Sequence, residues 1–270
     1  MRHIIFILVI SFIMICHYAS GQRNSFYLVP HIGLNFPFSY FADKKNVPPY
    51  IKRTETNSDE NFGLAVFADF DKNIGVMLGY EIGVNGWGIK MSSHTDSARN
   101  PTMGGSYSSV RVQRFFLRCS KNISQVRIVK SNKDYPFGHV DKYWAIFDID
   151  IFAGFSMENV PLVNYGSNVG FSISPFTGTR DIIQANDSIT TLNDTGYGFQ
   201  VGINLQFYNN GKRRIQIGLM YHQGINRRLK ATWSSSINGK PFPNFNQYTR
   251  GSVFAVYAAY PILLFNDRKD

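Results

Sequence analysis

Histidines are the side chains of this sequence most suited to acid–base chemistry. Four of them follow the apolar N-terminal segment: His31, His94, His139 and His222. A histidine beside a serine and an acid can activate the serine as a nucleophile toward acyl groups. No His-x-Ser spacing on a single strand assembles such a group without help from the fold. The sequence therefore favours histidines that are hydrogen-bonded in a polar interior.

Carboxylates are the second set that could do chemistry, since paired acids can act as general acid and base. Two acids lie in an apparent loop: Asp181 and Asp187. Four others lie on the polar faces of alternating stretches: Asp69, Glu81, Asp148 and Asp150. Arg111 and Arg114 are candidates to neutralise these four in a narrow interior, where an unpaired charge is costly. We therefore expect ion pairs there, not catalysis.

No pattern for a metal or cofactor is present. The residues His94, Thr95 and Asp96 lie in a predicted outer loop and suggest a metal only weakly. Cys119 is the one cysteine after the N-terminal segment, so neither an internal disulfide nor a zinc cluster is expected. The Gly-x-Gly pairs fall inside predicted strands and form no phosphate-binding loop. We predict no catalytic, cofactor-binding or metal residue, and no enzyme.

The N-terminus has the pattern of a cleaved export signal. Arg2 precedes an apolar run over residues 4–15, and small residues at 19–21 suit a signal peptidase. The run is shorter than the roughly 20 residues of a transmembrane helix. Cys16 follows Ile15, where a lipoprotein signal needs a small residue, so we assign Cys16 to the discarded peptide. Residues 1–21 are predicted to be the signal peptide.

The elements that would hold the polar residues are strands of two unlike faces. In residues 74–85 one face is bulky and apolar, beginning at Ile74, and the other is small and polar, ending at Asn85. The same alternation recurs in residues 26–35, 62–70, 147–155, 197–207 and 215–222. Residues 107–118 alternate poorly because arginines interrupt them, and residues 251–265 are apolar on both faces.

The composition of the polar faces separates two all-β alternatives. A soluble sandwich would show Lys, Glu and Thr to water, but these faces carry mostly Gly, Asn and Gln, which suit a narrow barrel interior. Strands that span lipid must also close, because every backbone polar group needs a partner. We predict a closed antiparallel up-and-down transmembrane β-barrel of about eight strands.

The connections alternate in length, as in membrane barrels. Short turns are expected at residues 71–73 and at 209–212, where Asn-Gly favours a tight turn. Long outer loops are expected at residues 37–60, 91–106, 157–194 and 227–247. Residues 119–142 are too long for a turn and are predicted to be a periplasmic excursion. In an alternative of about ten strands, residues 123–130 follow a turn at Lys121 and Asn122, and residues 160–174 form another strand.

Charge and composition exclude one class of partner. The net charge of +10 could suit a nucleic-acid binder, but the cations fall mainly in predicted loops and turns, such as Lys44, Lys45 and Arg213. Hydrophobic residues make up 44% and charged residues 17%, which is enough apolar surface for a large lipid-facing area. No nucleic-acid partner is predicted.

Hairpins over residues 62–89 and 197–224, with Asp-Lys-Asn and Asn-Asn-Gly-Lys turns, resemble the small outer-membrane β-barrel domain family. Its members include porin-family proteins related in form to OmpA and OmpX. The strand end at residues 221–224 and the terminal run 260–265 are also similar. The resemblance implies a barrel over residues 22–270 that the barrel-assembly machinery inserts into the outer membrane. Pro261 departs from the pattern, because it removes a ladder donor and predicts a bulge or strand end.

The predicted function is a structural or interaction role in the outer membrane, through the surface loops. The predicted partners are outer-membrane lipid and an extracellular ligand or protein. A narrow porin-like channel is one alternative, and an accessory of envelope secretion or assembly that docks through residues 119–142 is another. A lipid-modifying enzyme built around His222 is the last.

Overall fold

The computed structural model describes residues 24–42, 44–48, 50–54, 57–70, 74–92, 103–129, 143–162, 164–173, 181–209 and 212–266. The regular structure in these ranges is β-strand, which confirms the all-β prediction. Within the same ranges, no helix long and apolar enough to cross a membrane is found. The strands are β1 Asn24–Phe41, β2 Ile51–Thr54, β3 Asp59–Phe70, β4 Ile74–Ser92, β5 Met103–Val129, β6 Tyr143–Asn159, β7 Asn164–Ile173, β8 Asp181–Thr191, β9 Thr195–Asn209, β10 Lys212–Gly224, β11 Leu229–Ile237, β12 Lys240–Ala259 and β13 Ile262–Asn266. The predicted signal peptide lies outside the described residues.

Eight strands pair in a ring. The order is β1, β3, β4, β5, β6, β9, β10 and β12, and β12 pairs with β1 again. Each of these pairings is antiparallel. The prediction of eight strands in the ring is therefore confirmed.

The ten-strand alternative is wrong, because β5 continues through Lys121 and Asn122 without turning. The Asn122 side chain donates a hydrogen bond to Asp150 on β6 at 2.9 Å, and the register against β6 shifts by a bulge beyond it. β7 does exist where the alternative placed a strand, but it pairs with β8 outside the ring. Of the predicted excursion, residues 119–129 belong to β5, and residues 130–142 lie outside the described residues.

The predicted long loops contain further strands, which corrects the sequence prediction. β2 lies within 37–60, β7 and β8 lie within 157–194, and β11 and the start of β12 lie within 227–247. In 91–106, β4 continues to Ser92 and β5 begins at Met103. We call β2, β7, β8, β11, residues 240–250 of β12, residues 86–92 of β4 and residues 103–110 of β5 the β extension.

The β extension has its own apolar core, and this is why its segments are strands and not loops. The core contains two tryptophans, Trp87 and Trp233, with aliphatic and aromatic partners. The rings of Trp233 and Phe245 stack with centroids 6.3 Å apart. Burial of large side chains contributes roughly 1.5–3 kcal/mol each, enough to order segments that are rich in Ser, Asn and Thr.

One long strand joins the ring to the β extension. Residues 253–259 of β12 pair with β1 and β10, whereas residues 240–249 pair with β11 and only residues 247–249 of these also pair with β1. Gly251 lies between the two halves with a φ of 78°, a left-handed conformation that glycine adopts without strain. At the other end, Pro261 separates β12 from β13, which confirms the predicted strand end. The expected short turn at 71–73 lies outside the described residues; of the turn expected at 209–212, residues 210–211 lie outside them, and Asn209 and Lys212 pair as the ends of β9 and β10.

The ring is apolar outside, and its inner face carries buried polar and charged side chains among aromatic ones. On the outer face Ile32 is 62% exposed and Phe62 is 53% exposed, while on the inner face Glu81 is 1% exposed. The inward placement predicted for the four acids is confirmed, since each is buried: Asp69, Glu81, Asp148 and Asp150. A water-soluble protein reverses this polarity, because apolar area exposed to water costs roughly 25 cal/mol per Å².

Candidate functional site

A cluster of ionic side chains lies inside the ring, near its end at the β extension. Arg114 on β5 lies between Glu81 on β4 and Glu158 on β6, and all three are buried. Its Nε donates to Glu158 Oε1 at 2.6 Å, and its Nη1 donates to Glu81 Oε1. Neighbouring strands bring these residues together, because β5 pairs with both β4 and β6. The predicted role of Arg114 as a partner of the inward acids is confirmed.

Arg118 is the second cation of this cluster, and it lies four residues after Arg114 on the same face of β5. Its Nε donates to Gln200 Oε1 at 2.6 Å, and its Nη2 lies 3.7 Å from Glu81 Oε2. Its guanidinium carbon is 3.8 Å from the ring centroid of Phe116, a cation–π distance. We call Glu81, Arg114, Arg118 and Glu158 the ion cluster. Its two cations balance its two anions, which is the condition for burying them.

From the sequence, Arg118 was interpreted only as an interruption of the alternation between apolar and polar residues. The usable signal was spacing, because Arg114, Phe116 and Arg118 recur at every second residue and therefore share one face. The other arginine candidate, Arg111, is wrong as an interior cation. It has the opposite parity, so its side chain is exposed on the outside of the ring.

His222 on β10 contacts Ser156 on β6 beside the ion cluster. The His222 Nδ1 lies 2.8 Å from the Gly251 carbonyl oxygen, so this nitrogen must donate. In the neutral tautomer Nε2 is then free to accept the Ser156 hydroxyl proton across 2.8 Å. Glu158 Oε1 lies 3.5 Å from Nδ1. The fold thus assembles a serine, a histidine and an acid that the sequence had left apart.

This arrangement has the contact of a nucleophile and base but offers no approach for a substrate. Ser156 and His222 are both 0% exposed. The proton on Nδ1 is directed at a backbone carbonyl, and Glu158 already accepts from Arg114. A general base must reach its substrate, directly or through one water. The geometry therefore fits a hydrogen-bonded interior histidine, and the absence of enzyme activity stays a prediction.

The remaining interior acids have partners that the sequence did not assign. Asp69 accepts from Arg213 Nη2 at 2.9 Å, although Arg213 was predicted to be a turn cation. Asp148 accepts from the Tyr208 hydroxyl at 2.6 Å. Asp150 accepts from Asn122. This second group lies nearer the end of the ring opposite the β extension, so the interior is polar along much of its length.

Of the other candidates of the sequence, His31 lies beside the ion cluster and the rest lie away from it. His31 is buried with its Nε2 3.6 Å from Glu81 Oε2. Asp181 and Asp187 belong to β8 and not to a loop, and Asp187 accepts from the Trp87 indole nitrogen at 3.2 Å. Cys119 is exposed and free. The described residues contain no group of three or more His, Cys, Asp or Glu that could hold a metal. The remaining histidine candidates lie outside the described residues: His94 and His139.

In the β extension, a tyrosine has a strongly perturbed hydroxyl. Tyr107 on β5 donates a hydrogen bond to the Asp59 carboxylate. Burial, together with this neighbouring negative charge, raises the pKa of the Tyr107 hydroxyl, since both disfavour the phenolate. The group therefore stays protonated at neutral pH and donates its hydrogen bond to Asp59.

Glycines on the inner face make room for the large polar side chains. A Cβ on Gly198 would lie 2.0 Å from His222 Nε2, and a Cβ on Gly63 would lie 2.5 Å from His31 Nε2. Between the two interior polar groups, Arg118, Phe152 and their neighbours leave a space of about 10 Å³. This is about the volume one water needs. The described interior around this space is therefore packed.

Comparison with known proteins adds little. No family model matches the sequence, and no curated protein matches it. The chain is similar to the outer membrane protease OmpT of Escherichia coli, with 9% identity and a TM-score of 0.25 over 89% of this chain and 96% of that one. It is also similar to a Pseudomonas aeruginosa FadL homologue, with 8% identity and a TM-score of 0.12 over 88% and 90% of the two chains. At these scores neither likeness carries an argument, so membership in the predicted family stays a prediction.

Proposed function

We propose that this chain is an integral outer-membrane β-barrel protein with a filled lumen, whose β extension presents an interaction surface outside the cell. The inverted polarity of the ring is the observation that carries this proposal. Large apolar side chains point away from the ring on all eight of its strands, while the ion cluster lies inside. In a lipid bilayer, such an apolar exterior does not have the free-energy cost that it has in water.

The lipid-facing band has suitable dimensions. On β9 and β10 alternate residues are exposed and apolar, including Val201, Ile203, Ile217 and Leu219. A tilted strand needs about 9–11 residues to cross the hydrocarbon region, and β9 and β10 contain 15 and 13 residues. The ring pairing also gives each spanning strand a partner on both sides, as a hydrocarbon environment requires.

A porin-like channel is not supported by the interior. Phe116, Phe152 and Tyr257 are buried there together with Arg118. Eight-stranded barrels are just wide enough for side chains to fill. The filled lumen favours a scaffold that acts through the parts of the chain at the two ends of the ring. The β extension, which has its own core, is the larger of these two parts.

One observation favours a second role, in envelope secretion or assembly. Residues 122–129 of β5 pair with β6, but in the described part of the chain their other edge has no strand partner. An open edge can accept an extended segment of another protein through backbone hydrogen bonds. In the proposed orientation this edge lies on the periplasmic side, where the sequence suggested a docking element.

The membrane assignment is tested by folding the chain without residues 1–21 into detergent micelles and running it unboiled and boiled on a denaturing gel. We expect the unboiled sample to migrate faster. Ile203→Lys on the lipid-facing surface should lower stability by about 2–4 kcal/mol, since a charge near the bilayer midplane costs that much. The matched control Ser234→Lys, on an exposed position of β11, should change little. Solubility without detergent and no gel shift would sink the proposal.

A further inference from the structure

A cleft of about 340 Å³ opens on the outside of the ring where β12 passes into the β extension. Opposite β1, the register moves from Pro37 with Val253 to Ser39 with Thr249, so three β12 residues face one on β1. This bulge at residues 250–252 separates the strands and creates the cleft. We call it the rim cleft; its lining includes Phe38, Tyr40, Tyr221, Gln223, Arg250 and Ser252.

Hydrogen bonds fix the floor of the rim cleft. Gln223 Nε2 donates to the Ser252 hydroxyl oxygen at 3.0 Å, and the Gly224 backbone nitrogen donates to the same oxygen at 3.2 Å. A Cβ on Gly224 would lie 1.7 Å from the Arg250 carbonyl oxygen, so only glycine permits this approach. The cleft is therefore formed before any ligand arrives.

Two exposed arginines stand at its edge on tyrosine rings. The Arg250 guanidinium carbon is 5.5 Å from the Tyr40 ring centroid. The Arg227 Nε donates to the Tyr40 hydroxyl at 3.0 Å, and its guanidinium carbon is 4.7 Å from the Tyr248 ring centroid. Within the described residues neither arginine forms a salt bridge with a carboxylate. Two uncompensated guanidinium groups thus face one small region of surface.

Below the arginines the surface is apolar. Phe254 of β12 pairs with Phe36 of β1 and with Tyr221 of β10. Two residues further along the strands, Leu34 and Leu219 lie on either side of β12. Leu34, Leu219 and Phe254 are exposed. The site therefore has a cationic end and an apolar end. This arrangement is complementary to an anionic amphiphile.

We propose that the rim cleft binds the phosphorylated headgroup of an outer-leaflet lipid, with its acyl chains along Leu34, Leu219 and Phe254. This proposal rests on the proposed membrane function. Arginine is suited to phosphate because its planar fork donates two parallel hydrogen bonds. Charge complementarity favours an anionic headgroup over a zwitterionic one, and the apolar side favours a lipid over free phosphate.

Native mass spectrometry of the folded full chain in neutral detergent tests the proposal, with lipid A as the probe. We expect one bound lipid A and much weaker binding of phosphatidylcholine. Arg227→Gln and Arg250→Gln should each weaken lipid A binding about fivefold, and together about 25-fold, from roughly 1 kcal/mol per arginine. Arg111→Gln, which removes an exposed outward arginine elsewhere on the ring, is the matched control and should bind as the parent does.

Three outcomes would overturn the lipid site while the gel shift of the folded barrel persists. They are equal weakening by Arg111→Gln, equal binding of phosphatidylcholine, and full competition by inorganic phosphate, which would show an anion site without a lipid component. Loss of the gel shift in the parent would overturn the membrane function and the lipid site together. Retention of the shift in every variant shows that weakened binding does not come from misfolding.

Discussion

Removing the central cation of the ion cluster should destabilise the protein strongly. Arg114→Met keeps an unbranched apolar side chain but leaves Glu81 and Glu158 without their shared partner. The nearest remaining groups are Arg118, 3.7 Å from Glu81, and His222, 3.5 Å from Glu158. Breaking a buried ion pair from one side costs about 3–5 kcal/mol. This is a large fraction of a typical stability of about 5–15 kcal/mol.

The assay is urea unfolding in detergent micelles, followed by the fraction of the fast-migrating gel band and by tryptophan fluorescence. With a slope of about 2 kcal/mol per molar urea, a loss of about 4 kcal/mol lowers the midpoint by about 2 M. Arg111→Met on the same strand is the control. We expect no loss there, because Arg111 lies outside the ring and a charge near a membrane interface contributes about 0–1 kcal/mol.

A double variant separates charge balance from packing. Arg114→Met with Glu158→Gln leaves Glu81 paired with Arg118 and removes the second carboxylate that the single variant leaves without Arg114. The double variant should be more stable than Arg114→Met alone, with a favourable coupling in the range of about 0.5–3 kcal/mol. If the two losses simply add, or if Arg114→Met unfolds at the same urea concentration as the parent, the electrostatic account of the cluster is refuted.

Four further results are expected. Gly198→Ala should cost about 1–3 kcal/mol in urea unfolding, because the added methyl carbon would lie 2.0 Å from His222 Nε2; an unchanged midpoint would mean that the interior yields. Trp233→Ala should cost about 3–5 kcal/mol locally, since Trp233 is fully buried against Phe245, and should expose the β extension to protease while the gel shift persists; protection equal to the parent would contradict this. In planar bilayers the protein should give no steady channel current, and stable conductance steps would show that the lumen opens. A fluorophosphonate probe should leave folded protein unlabelled, whereas labelling that is lost in Ser156→Ala would reveal an enzyme.

The strands of the ring could be predicted from the sequence, because one period of two residues indicates both that a segment is a strand and which of its side chains share a face. In residues 74–85 and 197–207 every second residue is bulky and apolar, and the residues between are small or polar. Such a pattern fixes which side chains share a face, so it predicts the inward direction of Glu81, and the same alternation in residues 147–155 predicts that of Asp150. The small size of the polar residues indicated a narrow interior, and the structure is packed there.

The two-residue periodicity did not predict the strands in which only some of the alternate side chains are apolar and buried. The β extension was predicted as loops because its segments are rich in Ser, Asn and Thr, and their apolar residues meet only after the strands pair. Trp87 and Asp187 lie a hundred residues apart and still form a hydrogen bond. Single-sequence patterns report local alternation and contain no information about such distant partners.

The sequence by itself determined the strand character, the polarity of the two faces and the inward placement of the acids, because these depend on neighbours along one chain. Only the tertiary structure decided which charges meet. Arg114 reaches Glu81 and Glu158 through pairing with strands on both sides, and His222 of β10 reaches Ser156 of β6 over the intervening strand β9. The ion cluster and the rim cleft arise from register and strand order, and these are set by the pairing of strands around the whole ring rather than by local preference.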